Sequence, residues 1–252
     1  MLLPDTDVAI AGALFAMAIA GSGFVQGITG FGYAVVALAL LPYLFDVRLA
    51  NLVVSFSILL PLVYAVVRHR GDIHADTLTG ALAGAVLGLP LGLWAFLYVD
   101  ARWLQRATGF LILIVALDGL RRHSACVVPN AKSRWQSLTA GAVSGFLCGS
   151  IGVVGPPTAM YAARQPWSPE QFKAFIAAFS LIVTLAKIVG LITTGILDQR
   201  VFVLSAIALP FACAGAWMGS VAAPRISVLR FRQLTFAMLT LSSVGMILLW
   251  RP

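Results

Sequence analysis

Lys187 is a lone cation in the middle of an otherwise uncharged stretch, residues 174–197. A charged side chain at mid-span costs roughly 2.5–3.5 kcal/mol to place in a bilayer, so it normally faces the interior of a helix bundle. Helical spacing puts Ser180, Thr184, Lys187, Leu191 and Thr194 on one face. An ammonium flanked by hydroxyls suits a small oxyanion, whose several oxygens accept hydrogen bonds. The rival role is structural, with Lys187 paired to Asp118 or to helix-end carbonyls. Sliding residues 49–67 along this stretch by 123 positions pairs Tyr64 with Lys187, so Tyr64 can offer a donor from elsewhere in the chain. Asn51 and Ser55, at i and i+4, put polar groups on that same stretch.

A second set of groups comes from backbone. Residues 145–158 read Gly-Phe-Leu-Cys-Gly-Ser-Ile-Gly-Val-Val-Gly-Pro-Pro-Thr, inside a run without charge. Glycine is costly inside a helix and proline removes a donor, so a helix must break here. A shift of 122 positions maps Gly145, Phe146, Gly149 and Gly152 onto Gly23, Phe24, Gly27 and Gly30. Two glycine-interrupted hydrophobic segments at matching places in two halves point to a transporter binding site. Helix N-termini made by such breaks expose unpaired N–H groups and partial positive charge, which favour anions. The expected substrate contacts are the N–H groups near Thr29–Tyr33, Gly152, Gly155 and Thr158, with side-chain donors from Gln26, Thr29, Tyr33, Ser150 and Thr158. Lys187, Ser180, Thr184, Asn51 and Tyr64 complete the set. The alternative is that the glycines only let helices approach closely.

No catalytic residue, metal or cofactor is expected. His69, His74 and His123 lie in loops, and Cys126, Cys148 and Cys213 lack metal-ligand spacing. A Ser150–Lys187 dyad would be the nucleophile and base of a rival intramembrane enzyme.

These groups must be positioned by helices in a membrane. The chain has 252 residues, 60% hydrophobic and only 10% charged, against about 25% charged in soluble domains. The net charge of +8 comes from basic residues placed singly or in pairs between apolar segments. That pattern fits loops at an anionic leaflet and argues against nucleic acid as a partner. Residues 8–45 and 135–163 are uncharged and longer than the ~20 residues a crossing needs. Further spans are expected at 49–67, 77–99, 103–120, 174–197, 201–224 and 233–250. Gly215–Gly219 is matched to Gly84–Gly88. The domains are then a first membrane repeat, 1–120, a basic connecting loop, 121–134, and a second repeat, 135–252.

If every segment crosses, Lys and Arg divide evenly between the two sides. If both long segments enter, turn and return, 11 fall on one side and 5 on the other, as the cytoplasmic excess of basic residues requires. The expected fold is an all-α polytopic membrane protein of two four-segment inverted repeats, each opening on a glycine-broken re-entrant hairpin. Arg122 is then cytoplasmic and both termini are periplasmic.

The stretch 145–157, followed by Tyr161 and Phe172-Lys173-Ala174, resembles the second-half motif of the TauE/SafE family, which includes sulfite exporters. Arg68-His69-Arg70-Gly71-Asp72-Ile73 resembles its arginine-glycine turn, and Ala208-Leu209-Pro210 through Gly219 its penultimate span. The first-half run, Gln26-Gly27-Ile28-Thr29-Gly30-Phe31-Gly32, is less glycine-rich than the family's. The resemblance implies a bacterial inner-membrane carrier of sulfite, an organosulfonate or a related anion. Partners are then the anion and the lipid bilayer, with the protein monomeric or a homodimer. Asp118 is the sole acid inside an expected span, so proton coupling is either absent or carried on the substrate. An anion channel is the nearest alternative.

Overall fold

The computed structural model describes residues 5–73, 75–100, 103, 106, 110, 113, 134–225 and 240. Asp118, His74, His123, Cys126 and most of the spans expected at 103–120 and 233–250 lie outside these residues. Among the described residues all regular structure is helical, and five stretches are long and apolar enough to cross a membrane.

The first uncharged run forms α1 (Asp5–Thr29) and the short α2 (Tyr33–Leu40), which a 3-10 turn extends through Tyr43. Phe45, just beyond that turn, packs edge-on against Phe15 of α1 at 5.6 Å between centroids, so the chain after the break runs back along α1. The next span is split into α3 (Val47–Ser57) and α4 (Leu59–Arg68). Asp46 caps it by accepting the Arg48 N–H at 2.9 Å. The split follows from Pro61, which has no N–H for the Ser57 carbonyl four residues back and whose ring crowds it. Helix α5 (Ala75–Tyr98) follows.

The second uncharged run repeats this plan as α6 (Arg134–Ile151) and α7 (Gly155–Ala162). Then come α8 (Pro169–Thr193) and α9 (Gln199–Ala222). The start of α8 is a capping box. Ser168 Oγ accepts the Gln171 N–H at 3.2 Å, and Gln171 Oε1 accepts the Ser168 N–H at 2.9 Å.

Two helix pairs frame the molecule. Helix α5 lies parallel to α6, and α1 parallel to α9, each at glycine-limited distance. A Cβ on Gly88 or Gly92 would strike the carbonyl of Ala142 or Phe146, and one on Gly215 or Gly219 that of Ala20 or Phe24. These contacts are equivalent under the 122-position shift, since Ala20 and Phe24 map onto Ala142 and Phe146. They correct the matching of Gly215–Gly219: its counterpart is Gly88–Gly92, one turn beyond Gly84–Gly88. Glycine recurs every fourth residue from Gly80 to Gly92, so sequence alone offers several registers and packing selects one.

Helix α8 runs antiparallel to α3 and α4. Near its C-terminal end Lys187 meets Asn51 and Ser55 of α3. At its other end Lys173 rests against Gly30 and lies beside His69, next after α4. Burial, reinforced by the Lys173 and Arg68 charges, holds the His69 imidazole below its ordinary pKa. The core between these elements is closed by Tyr33, Phe175 and Phe179, all fully buried. Val86, Leu87, Leu91 and Trp94 of α5 point outward, as side chains facing lipid do.

Candidate functional site

The first break is a built turn. Gly30 and Gly32 have φ of 82° and 97°, a left-handed backbone that favours glycine. The Gln26 amide bridges it: Nε2 donates to the Gly30 carbonyl at 3.1 Å, and Oε1 accepts the Tyr33 N–H at 3.3 Å. Thr29 Oγ1 accepts the Phe31 N–H at 3.2 Å and lies against the Val25 and Phe31 carbonyls. The Tyr33 hydroxyl donates to Ser57 Oγ at 2.8 Å. With the Tyr33 N–H taken, Ala34 and Val35 are left as the first-turn donors of α2 without intrahelical partners.

The second break uses backbone instead. Gly152 has φ of 79°, its N–H bonds the Cys148 carbonyl at 3.0 Å, and the Val153 N–H reaches Leu147 at 3.3 Å. Pro156 and Pro157 delete two first-turn donors of α7. The Val154 and Gly155 N–H groups remain.

Both helix starts border one cavity. Gln26, Phe31 and Gly32–Val35 line it from the first break, and Cys148 and Gly152–Gly155 from the second. Val54 and Ser55 of α3 and Ile58 at its junction with α4, with Ser180 and Thr184 of α8, close it. Its volume is about 20 Å³, room for about one water molecule. The Ser180 side chain is 5% exposed, and its hydroxyl has no hydrogen-bond partner among the described residues. The Thr184 hydroxyl lies beside the Cys148 thiol.

Lys187 stands immediately behind this wall. It is fully buried; its Nζ donates to Asn51 Oδ1 at 2.6 Å and to Ser55 Oγ at 2.8 Å. The ammonium also lies 5.9 Å from the Phe96 ring centroid, within cation–π reach. Ser55 in turn donates to the Asn51 carbonyl at 2.8 Å, so its hydroxyl links the ammonium to the cavity. The Asn51 amide packs under the second break, 3.2 Å from where a Gly152 Cβ would stand.

Of the residues singled out from sequence, Gln26, Tyr33, Gly152, Gly155, Ser180 and Thr184 line the cavity. Lys187 and Asn51 sit one layer back. Thr29, Ser150 and Thr158 bond neighbouring backbone carbonyls, Ser150 to Phe146 at 2.8 Å and Thr158 to Gly155 at 3.0 Å. Tyr64 is far from this group: its hydroxyl meets Ser220 Oγ at 3.3 Å and accepts from Arg68 at 3.0 Å. Gly149 packs on α5 against Gly92 and Leu93 rather than facing the cavity. Cys148 was missed as a lining residue, although the 122-position shift places it opposite Gln26.

Chemically, the site gathers two helix N-termini, each worth roughly half an elementary charge. A buried ammonium and unengaged donors complete it, without a carboxylate among the described lining residues. Groups of this kind suit a small anion. The chain matches, over residues 14–246, the family model described as Sulfite exporter TauE/SafE. No curated protein and no solved structure gives a significant match. With a match covering nearly its whole length, this membrane protein belongs to the TauE/SafE sulfite exporter family.

Proposed function

We propose that the protein is a secondary transporter that moves sulfite, an organosulfonate or a related small anion across the bacterial inner membrane by alternating access. The observation that carries this reading is the meeting of two broken-helix N-termini, one from each half of the chain, on a cavity with an unpartnered Ser180 hydroxyl. Donors fixed by helices need no reorganisation when the anion arrives.

In this reading the halves are inverted repeats. The opposite directions of α8 and of α3–α4, which correspond under the 122-position shift, support it. So does a reciprocal pair of contacts: Gly30 rests on Lys173 and Gly152 on Asn51, and the shift maps Gly30 onto Gly152 and Asn51 onto Lys173. Each broken segment is then a re-entrant hairpin, Arg122 is cytoplasmic and the termini are periplasmic. The two breaks bound the cavity from either half of the chain, so in this reading they part to let substrate through. Such a parting is a carrier cycle rather than a standing channel.

A thermal-shift screen of purified protein tests this. Sulfite, ethanesulfonate, sulfate and acetate are added in turn. An anion that binds the folded state raises the melting temperature by mass action, by about 2.7 kcal/mol of stability at a concentration 100 times Kd. Sulfite or ethanesulfonate should stabilise more than acetate. A melting temperature unmoved by all four rejects the anion site.

A further inference from the structure

The cavity's two kinds of wall carry a statement about substrate class. Its donors are the α2 and α7 N-termini and the Ser180 hydroxyl, with the Lys187 charge held just behind Ser55. Hydrocarbon from Phe31, Val35, Val54, Ile58, Val153 and Val154 makes up much of the rest, beside the uncharged polar groups of Gln26, Cys148 and Thr184. An oxyanion of sulfur matches the first wall with its oxygens. In sulfite the remaining corner of the pyramid is a lone pair; in an alkylsulfonate it is carbon, which suits the second wall.

A cation has no place in this arrangement. Among the described residues no acidic side chain lines the cavity. The described carboxylates of Asp46, Asp72, Asp76, Asp100, Glu170 and Asp198 sit at helix ends and turns, Asp76 and Glu170 in the first turns of α5 and α8. Among the described residues the one charge beside the cavity is Lys187, which is positive. An ammonium brought in on a substrate would lose its hydration against apolar side chains, find no carboxylate, and face a like charge.

We propose that the site selects sulfur oxyanions that carry no cationic group, taking sulfite and alkyl- or hydroxyalkylsulfonates and rejecting aminosulfonate zwitterions. This rests on the reading of the cavity as the anion site. A carboxylate placed on the cavity wall should relax the rejection.

The test uses 2-hydroxyethanesulfonate and 2-aminoethanesulfonate, which differ at one terminal group of nearly equal size. Calorimetric titration of the purified full chain, with sulfite and ethanesulfonate as references, should give the amino compound a Kd at least tenfold weaker than the hydroxy compound. The Ser180→Asp variant should narrow that ratio at least threefold, and Thr184→Asp provides the same test if Ser180→Asp does not fold. Equal or tighter binding of the amino compound to the wild-type chain overturns the proposal and leaves the anion site standing. Failure of all four compounds to bind overturns both. An unchanged ratio in a folded acid variant shows that discrimination arises outside this cavity, and also overturns the proposal.

Discussion

Lys187→Ala should lower affinity for the transported anion at least tenfold, a loss of about 1.4 kcal/mol in binding. The ammonium is the sole charge next to the cavity among the described residues, and it acts through Ser55, whose hydroxyl it holds at 2.8 Å. Lys187→Arg keeps the charge but not the compact geometry of two short bonds, so it should keep part of the affinity. Stability follows a different balance. Removing the ammonium leaves Asn51 Oδ1 and Ser55 Oγ without their donor, at about 1–3 kcal/mol for a buried group. It also relieves the insertion cost of a charge, roughly 2.5–3.5 kcal/mol. These are of similar size, so the melting temperature should move little while binding falls. Affinity and melting measured on the same sample separate the roles. Unchanged affinity with a lowered melting temperature would mean that Lys187 is a structural strut only.

The second large effect is expected at Gly152. Its φ of 79° costs an L-residue about 1–2 kcal/mol, and a Cβ there would stand 3.2 Å from the Asn51 amide. A leucine side chain there would crowd Asn51 and the cavity that Gly152 lines. Gly152→Leu should therefore abolish transport while the helices still insert. Gly149→Leu should behave differently, because its Cβ would stand 2.6 Å from the Leu93 nitrogen and force α6 off α5. That variant should lose folded protein, seen as aggregation on size exclusion. Normal transport by Gly152→Leu would show that the break does not form the site.

The sequence was most readable where a residue type has one physical use. Paired glycines located both helix breaks, because few alternatives fit those residues. The mid-span charge drew attention to Lys187, whose partners proved to be Asn51 and Ser55. What was not readable was direction. Thr29, Ser150 and Thr158 are hydroxyls near the breaks, but a hydroxyl on a helix commonly bonds its own backbone, and these do. Tyr64 was aligned with Lys187 by sliding two spans, whereas α8 runs antiparallel to α3 and α4, so Lys187 meets Asn51 and Ser55 and Tyr64, several turns on, meets Ser220. Pro61 was visible in the sequence and would have warned of the split between α3 and α4. The register of α5 on α6 had to come from contacts, since a glycine every fourth residue fits equally well at each turn.

The central claim is that the two breaks form one anion site in a carrier. Exchange of radiolabelled sulfite by proteoliposomes of the purified protein tests it most directly. The account predicts saturable uptake driven by internal unlabelled sulfite, competed by ethanesulfonate, absent with Gly152→Leu and shifted to higher KM with Lys187→Ala. Flux that rises linearly without saturation, or that matches protein-free liposomes, would contradict it.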